Sequence, residues 1–271
     1  MKTPLIAFLF WCVLTSFSWG YSDFVPLRER AQGHSLTGAI QTNDSIYSNP
    51  AAGIFATTYS VEGTFAFPKS FSTSILDTRT SQVGGGIGYF KDQSSELNLQ
   101  GLRLTASSRV SENVGLAIAG KAVWGNRLNK NTESASLKDV DVGALWNLGF
   151  MTAGAVLRNS FGGDESVNQE RELSIGARMG YSDAVFFSAS AHSKLRQITP
   201  YEFGFGMEYV SPWFFSLMGG YRFQTAQGTP NSCWSTGVSF LSPRLSVHYA
   251  VEFPRQTQDS ASHLLGATMN F

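Results

Sequence analysis

Residues 201–223, YEFGFGMEYVSPWFFSLMGGYRF, alternate in two runs about a short Val210-Ser211-Pro212 turn. In the first run Tyr201, Phe203, Phe205, Met207 and Tyr209 share one face, and Glu202, Gly204, Gly206 and Glu208 the other. The second run sets Trp213, Phe215, Leu217, Gly219 and Tyr221 against Phe214, Ser216, Met218, Gly220 and Arg222. A period of two defines the two faces of a strand. The apolar face of a soluble sandwich rarely keeps aromatic rings at both ends. Here rings sit at the ends with Phe, Met and Leu between them, the order expected of a strand that faces lipid between two interfaces. Each run has about ten residues, enough for a tilted strand to cross a bilayer. The small and charged face would then line a lumen.

Composition supports a closed barrel. Of 271 residues, 42% are hydrophobic and only 15% charged, against roughly 25% charged in a soluble domain. A barrel gives this balance because half of each strand is apolar and half polar. A formal net charge of +0 argues against a nucleic-acid partner, which needs a basic face. Residues 1–20 read as a secretory signal, with Lys2, an apolar run from Leu5 to Leu14, and small residues around Ser18-Trp19-Gly20; the alternative is an uncleaved anchor. No later run approaches the roughly 18 apolar residues of a transmembrane helix. Cys12 lies in the signal, so Cys233 alone remains and no internal disulfide is expected.

The chain divides into the signal (1–20), an irregular segment (21–56) and a barrel (57–271). Alternating runs predict strands at 57–67, 70–78, 82–90, 97–109, 113–124, 138–148, 150–158, 170–180, 184–194, 201–210, 213–223, 233–241, 244–253 and 263–271. The expected fold is all-β: a transmembrane antiparallel barrel of about 14 strands, or about 12 if two are miscounted, with an N-terminal plug. Links after even-numbered strands are tight and most of the others are longer, the asymmetry of short periplasmic turns and longer outer loops. Leu97 and Leu99 fall out of phase with Leu102 and Leu104, which a bulge near Gly101 would explain.

The alternation turns charges of both signs inward. They include Glu62, Arg103, Lys121, Asp139, Asp141, Glu172, Arg178, His192, Lys194, Glu202, Glu208, Arg222, Arg244, His248 and Glu252. Glu172 is expected across from His192, Glu170 across from Lys194, Arg222 close to Glu202, and Arg103 across from Lys121 with Asp139 and Asp141 nearby. Two readings stand: a charge-paired interior that needs no substrate, or a polar path or carboxylate site. Phe90, Leu145, Phe186, Phe214 and Met218 add apolar inward positions. The four histidines form no Ser/His/acid motif, so no enzyme is expected, and no cluster suggests a metal or another cofactor. GGGIG at 84–88 precedes no helix and reads as a close-packed strand.

Just before the first strand the chain reads Asn43-Asp44-Ser45-Ile46-Tyr47-Ser48-Asn49-Pro50-Ala51-Ala52-Gly53. Asn49-Pro50 is a turn-starting pair and Gly53 permits a sharp reversal. With Ala31, Gly33, Gly38 and Ala39 upstream, this stretch resembles the FadL-like superfamily of outer-membrane hydrophobic-compound transporters, including the PorV-like barrels of type IX secretion. The close match covers about 25 residues; Ala52 lengthens its motif, and the outer loops here are short. The resemblance implies 14 strands with the N-terminal segment folded inside as a hatch. It also implies passive entry of a hydrophobic small molecule from outside, past the hatch, and out through a gap in the wall or into the periplasm. The PorV-like members instead imply a barrel that holds a partner at the membrane, and a plain structural barrel is the third reading. The hatch motif is thus Asn43, Asp44, Asn49, Pro50, Ala51 and Gly53, either as a turn that aims the first strand or as a ligand contact. The end, LLGATMNF, resembles the assembly signal of bacterial barrels, with Phe271 as its terminal aromatic; the expected partners are outer-membrane lipid and the barrel-assembly machinery.

Overall fold

The computed structural model describes residues 24–67, 70–93, 97–127, 134–164, 169–181, 184–195, 201–226, 229–255 and 261–271. The signal at 1–20 and most of the outer links lie outside the described residues. Fourteen strands form one closed antiparallel barrel, each beside its neighbours in sequence, with the first closing on the last. They are β1 (Tyr59–Phe67), β2 (Ser70–Asp77), β3 (Val83–Gln93), β4 (Leu97–Arg109), β5 (Val114–Arg127), β6 (Ser134–Asn147), β7 (Met151–Asp164), β8 (Gln169–Tyr181), β9 (Val185–Lys194), β10 (Glu202–Val210), β11 (Phe215–Ala226), β12 (Thr229–Leu241), β13 (Leu245–Pro254) and β14 (Ser262–Asn270). Closure runs from Ser60↔Asn270 to Phe67↔His263. No edge strand is left with unpaired backbone, which is what allows a sheet to sit in an apolar solvent.

Period-two alternation decides the faces. Along β14, Leu264, Gly266 and Thr268 are buried on the inside, and Leu265, Ala267 and Met269 are exposed on the outside. Phe65, Ile118, Ile175, Phe205 and Leu217 continue the exposed apolar outer surface.

Residues 24–56 fold inside this wall. A short helix, α1 (Leu27–Ala31), sets Leu27 and Ala31 against Met218, Ala250 and Leu264. Ile46 and Tyr47 close a 3-10 turn and join Phe24, Leu76, Phe90, Leu99, Val123 and Leu137 in the largest apolar cluster. Ala51 and Ala52 pack on Ala117 and Leu145. Small residues make this possible. Gly33 has φ +64, and a Cβ there would fall 2.6 Å from the Tyr221 nitrogen and 2.8 Å from the Phe205 carbonyl oxygen. Gly204 and Gly220, inward positions of β10 and β11, face Gly33 in turn. The glycines of the predicted polar face are therefore where the wall thins to admit a second layer of backbone.

Several expectations need correction. Tyr201 is not on the outer face. It precedes β10, turns inward, and its hydroxyl donates to Glu172 Oε2 at 2.7 Å. β11 starts at Phe215, so Trp213 and Phe214 belong to the turn, and Phe214 (φ 65) is exposed rather than lumenal. Arg244 is exposed in the β12–β13 turn. The β8–β9 turn closes on Tyr181↔Val185, which puts Glu172 opposite Lys194 and Ser174 opposite His192, one step along the face from the expected register, although Lys194 Nζ still reaches Glu170 Oε1 at 3.4 Å as a diagonal ion pair. No bulge interrupts β4, whose register with β3 is unbroken from Val83↔Ser108 to Gln93↔Asn98. Leu99 breaks the apolar-outward phase because it points inward, under the Phe24–Phe90 cluster.

The irregular strand is β7. Its ladder to β6 runs only from Asn147↔Thr152 to Val142↔Leu157. Its ladder to β8 shifts between Arg158 and Gly163. Asn159 (φ 55) and Gly162 (φ 138) turn the backbone through the left-handed region there, which glycine and, among other residues, asparagine enter most readily.

Candidate functional site

The predicted hatch motif makes attachments, all within the protein. Asn43 Nδ2 donates to the Ser74 carbonyl at 3.2 Å and its Oδ1 accepts from Ser60 Oγ at 2.6 Å, which ties the segment to β1 and β2. Asn49 Nδ2 donates to the carbonyls of Thr37 (2.9 Å) and Ala144 (3.1 Å), and its Oδ1 accepts from the Ala51 N–H at 3.1 Å. Pro50 follows it against Gly143 on β6. The Asp44 carbonyl accepts from the N–H groups of Tyr47 and Ser48, and burial pushes the Asp44 carboxyl above its usual range. Gly53 leaves room for Ser45 Oγ, which a Cβ would meet at 2.7 Å.

The inward charges gather into linked groups on the segment. On β4–β6, Arg103 pairs with Asp141 Oδ2, and Lys121 Nζ lies 3.0 Å from Asp141 Oδ1. Arg103 Nη1 also donates to the carbonyls of Ile46 (3.2 Å) and Tyr47 (2.7 Å). Asp139 and Asp141 each accept a β7 backbone N–H: Phe161 to Asp139 Oδ1 at 3.0 Å and Asn159 to Asp141 Oδ1 at 2.9 Å. Next, Arg158 donates to Glu172 Oε1 at 2.6 Å and to the Ser48 carbonyl at 3.1 Å. His192 Nδ1 stands 3.3 Å from Glu172 Oε1, the diagonal contact that the shifted register leaves open. Glu202 Oε1 lies 2.9 Å from His34 Nδ1, with Arg222 Nη1 3.3 Å from the same ring. Arg30 meets Glu252 at 3.3 Å.

Glu208 gathers a final group. It accepts from Arg28 Nη2 at 3.1 Å, Gln32 Nε2 at 3.3 Å and Arg178 Nη2 at 2.8 Å. Arg178 also lies over the Phe186 ring, 4.3 Å from its centroid. Beside these arginines is a cavity of about 540 Å³, at the end of the barrel that carries the short turns. Its lining includes Ile40, Phe150, Thr152 and Phe186 as well as Arg28 and Arg178. Thr152 donates to the Gly38 carbonyl, which fixes the segment along one side.

The structure thus brings Arg103, Lys121, Asp139 and Asp141 together, and Glu172, His192 and Glu202 together. Arg222 joins the Glu202 group through His34, as expected, Glu208 belongs to a separate group, and Phe271 lies apart at the seam of β1 and β14, its N–H donating to the Tyr59 carbonyl at 2.9 Å. Arg158 was missed, although it shares the inward parity of Thr152 and Val156. Arg28, Arg30 and His34 were missed because no strand period marks the segment that carries them.

No family model matches the sequence, and no curated relative does. Solved structures do match in fold. The CymD monoaromatic hydrocarbon channel superposes with a TM-score of 0.69 at 13% identity, over 91% of this chain and 97% of that one. The Ralstonia pickettii toluene transporter TbuX gives 0.66 at 13% identity, over 92% and 99%. A Pseudomonas aeruginosa FadL homologue gives 0.68 at 11% identity, over 93% and 100%. The fold is FadL-like. At these identities the likeness is one of architecture, and it extends over nearly the whole length of this chain and of those solved chains.

Proposed function

We propose that the chain is an outer-membrane barrel that lets hydrophobic small molecules cross passively, with residues 24–56 as its hatch. The observation that carries this reading is the cavity of about 540 Å³ between hatch and wall, a volume within the usual range for small-molecule sites. Its walls combine the apolar Ile40, Phe150 and Phe186 with a few fixed polar groups. The apolar outer surface supports a membrane setting, and the short-turn end is then periplasmic. The named activities of CymD and TbuX, a monoaromatic hydrocarbon channel and a toluene transporter, agree with this reading. The lumenal acids and bases serve to hold the hatch, and chemistry on a substrate is not part of the proposal.

The test is uptake of a labelled aromatic hydrocarbon by cells displaying the chain in their outer membrane, against cells without it, with a sugar as the polar control. Faster uptake of the hydrocarbon alone is expected. Equal hydrocarbon rates would sink the transport reading. They would favour the second one, a barrel that holds a partner, which the dense pinning of the segment by buried hydrogen bonds also suits.

A further inference from the structure

Between β6 and β7 the wall changes its means of attachment. Below Val142↔Leu157 the strands exchange ordinary backbone hydrogen bonds. Above it, the Asn159 and Phe161 N–H groups go to the side chains of Asp141 and Asp139. Both carboxylates are buried on the lumen face, so amides that reach them have stepped inward from the line of the sheet. The two left-handed residues, Asn159 and Gly162, allow that step. A backbone ladder is fixed by the chain itself; a carboxylate on a rotatable side chain is not.

The same groups hold the N-terminal segment. On the β6 side, Asp141 holds Arg103, which holds the carbonyls of Ile46 and Tyr47. On the β7 side, Arg158 holds the carbonyl of the next residue, Ser48. Three consecutive residues of the segment are therefore bonded to arginines serving both edges of one seam.

We propose that the β6–β7 seam above Val142 is a joint, kept shut by Asp139 and Asp141 and keyed by Ile46–Ser48, so that withdrawal of these residues loosens the wall at that place. The joint is a control on the passage reading and rests on it for its use, but its existence is measurable without any solute.

The experiment is amide hydrogen exchange on the full chain in nanodiscs. Its readout is the exchange of Asn159 and Phe161 divided by that of Val238 and Tyr249, which pair across the regular β12–β13 ladder. Asn43→Ala loosens the segment at β1 and β2, on other strands than the seam. It should raise the ratio about tenfold, the effect of about one buried hydrogen bond. Asp139→Ala should raise it through Phe161 alone. An unchanged ratio in Asn43→Ala, whether the seam stays protected or the whole barrel loosens evenly, overturns the coupling. An unchanged Phe161 in Asp139→Ala overturns the latch. Hydrocarbon uptake by the wild-type chain reports on the transport reading separately, so either idea can fail alone.

Discussion

Asp141 is the residue with the most depending on it. It faces two cations, Arg103 and Lys121, and one backbone amide, and it is 1% exposed. Removing one member of a buried ion group leaves the others charged and uncompensated, at a cost of about 3–5 kcal/mol. Asp141→Ala should therefore lower the urea midpoint of the refolded barrel as much as Leu217→Arg, for which a charge on the lipid-side face costs about 2–4 kcal/mol at mid-membrane depth. If Asp141→Ala unfolds with the wild-type midpoint, the ion group is not stabilising. Parity made most such residues legible: along β10, Glu202, Gly204 and Glu208 are buried where Phe203, Phe205 and Met207 are exposed. It failed at strand ends, for Tyr201, Phe214 and Arg244, because the period stops where the backbone leaves the sheet.

Among the elements, the N-terminal segment is the one whose removal has a defined consequence. A wall of about 14 strands encloses more space than its own side chains fill, and here residues 24–56 occupy that space. Deleting residues 31–48 while keeping Asn49–Gly53 should leave a folded barrel with higher single-channel conductance to small ions. Conductance no greater than wild type would mean that wall side chains close the lumen alone. Within the segment, burial pushes the Glu29 carboxyl up to about 7. Its folded value thus exceeds its unfolded one, so its contribution to seating is full below about pH 4.5 and is lost as pH rises through about 7. Protease sensitivity of the segment should increase over that window and flatten in Glu29→Gln. The sequence marked this segment by its lack of period and by the Asn43–Gly53 motif. It did not reveal which wall strands the motif touches, since alternation encodes the face of a strand and carries no information about what lies across the lumen. For the same reason the β6–β7 seam was invisible: Asp139 and Asp141 read as inward charges, and nothing in their spacing says that they replace a ladder.

At the level of the whole molecule, closure is the decisive event, and it joins the first strand to the last. Phe271 caps that join: its N–H bonds to Tyr59, its ring lies 5.6 Å from the Tyr59 ring, and its carbonyl accepts from Arg79 at 2.8 Å. Removing residues 269–271 should reduce the amount of heat-modifiable barrel in the outer membrane while leaving export intact; normal membrane levels would reduce Phe271 to one more outer aromatic. The even strand number was legible because each hairpin repeats the same grammar; the length of the outer links was not, because strands such as β3, β5, β7 and β11 run on past their expected ends and leave links such as 94–96 and 227–228 as short as the turns at the other end. The glycine contacts between segment and wall carry a consequence for the order of these events. Gly33 meets the backbone of β10 and β11 with no side chain between them, leaving less clearance than one methyl group. A finished barrel offers no slack there through which a segment could be threaded. In the intact chain the wall therefore shuts about its occupant, as a cooper sets staves about a form, while the diameter itself follows from the number and stagger of the staves, so the wall still closes when the form is cut away.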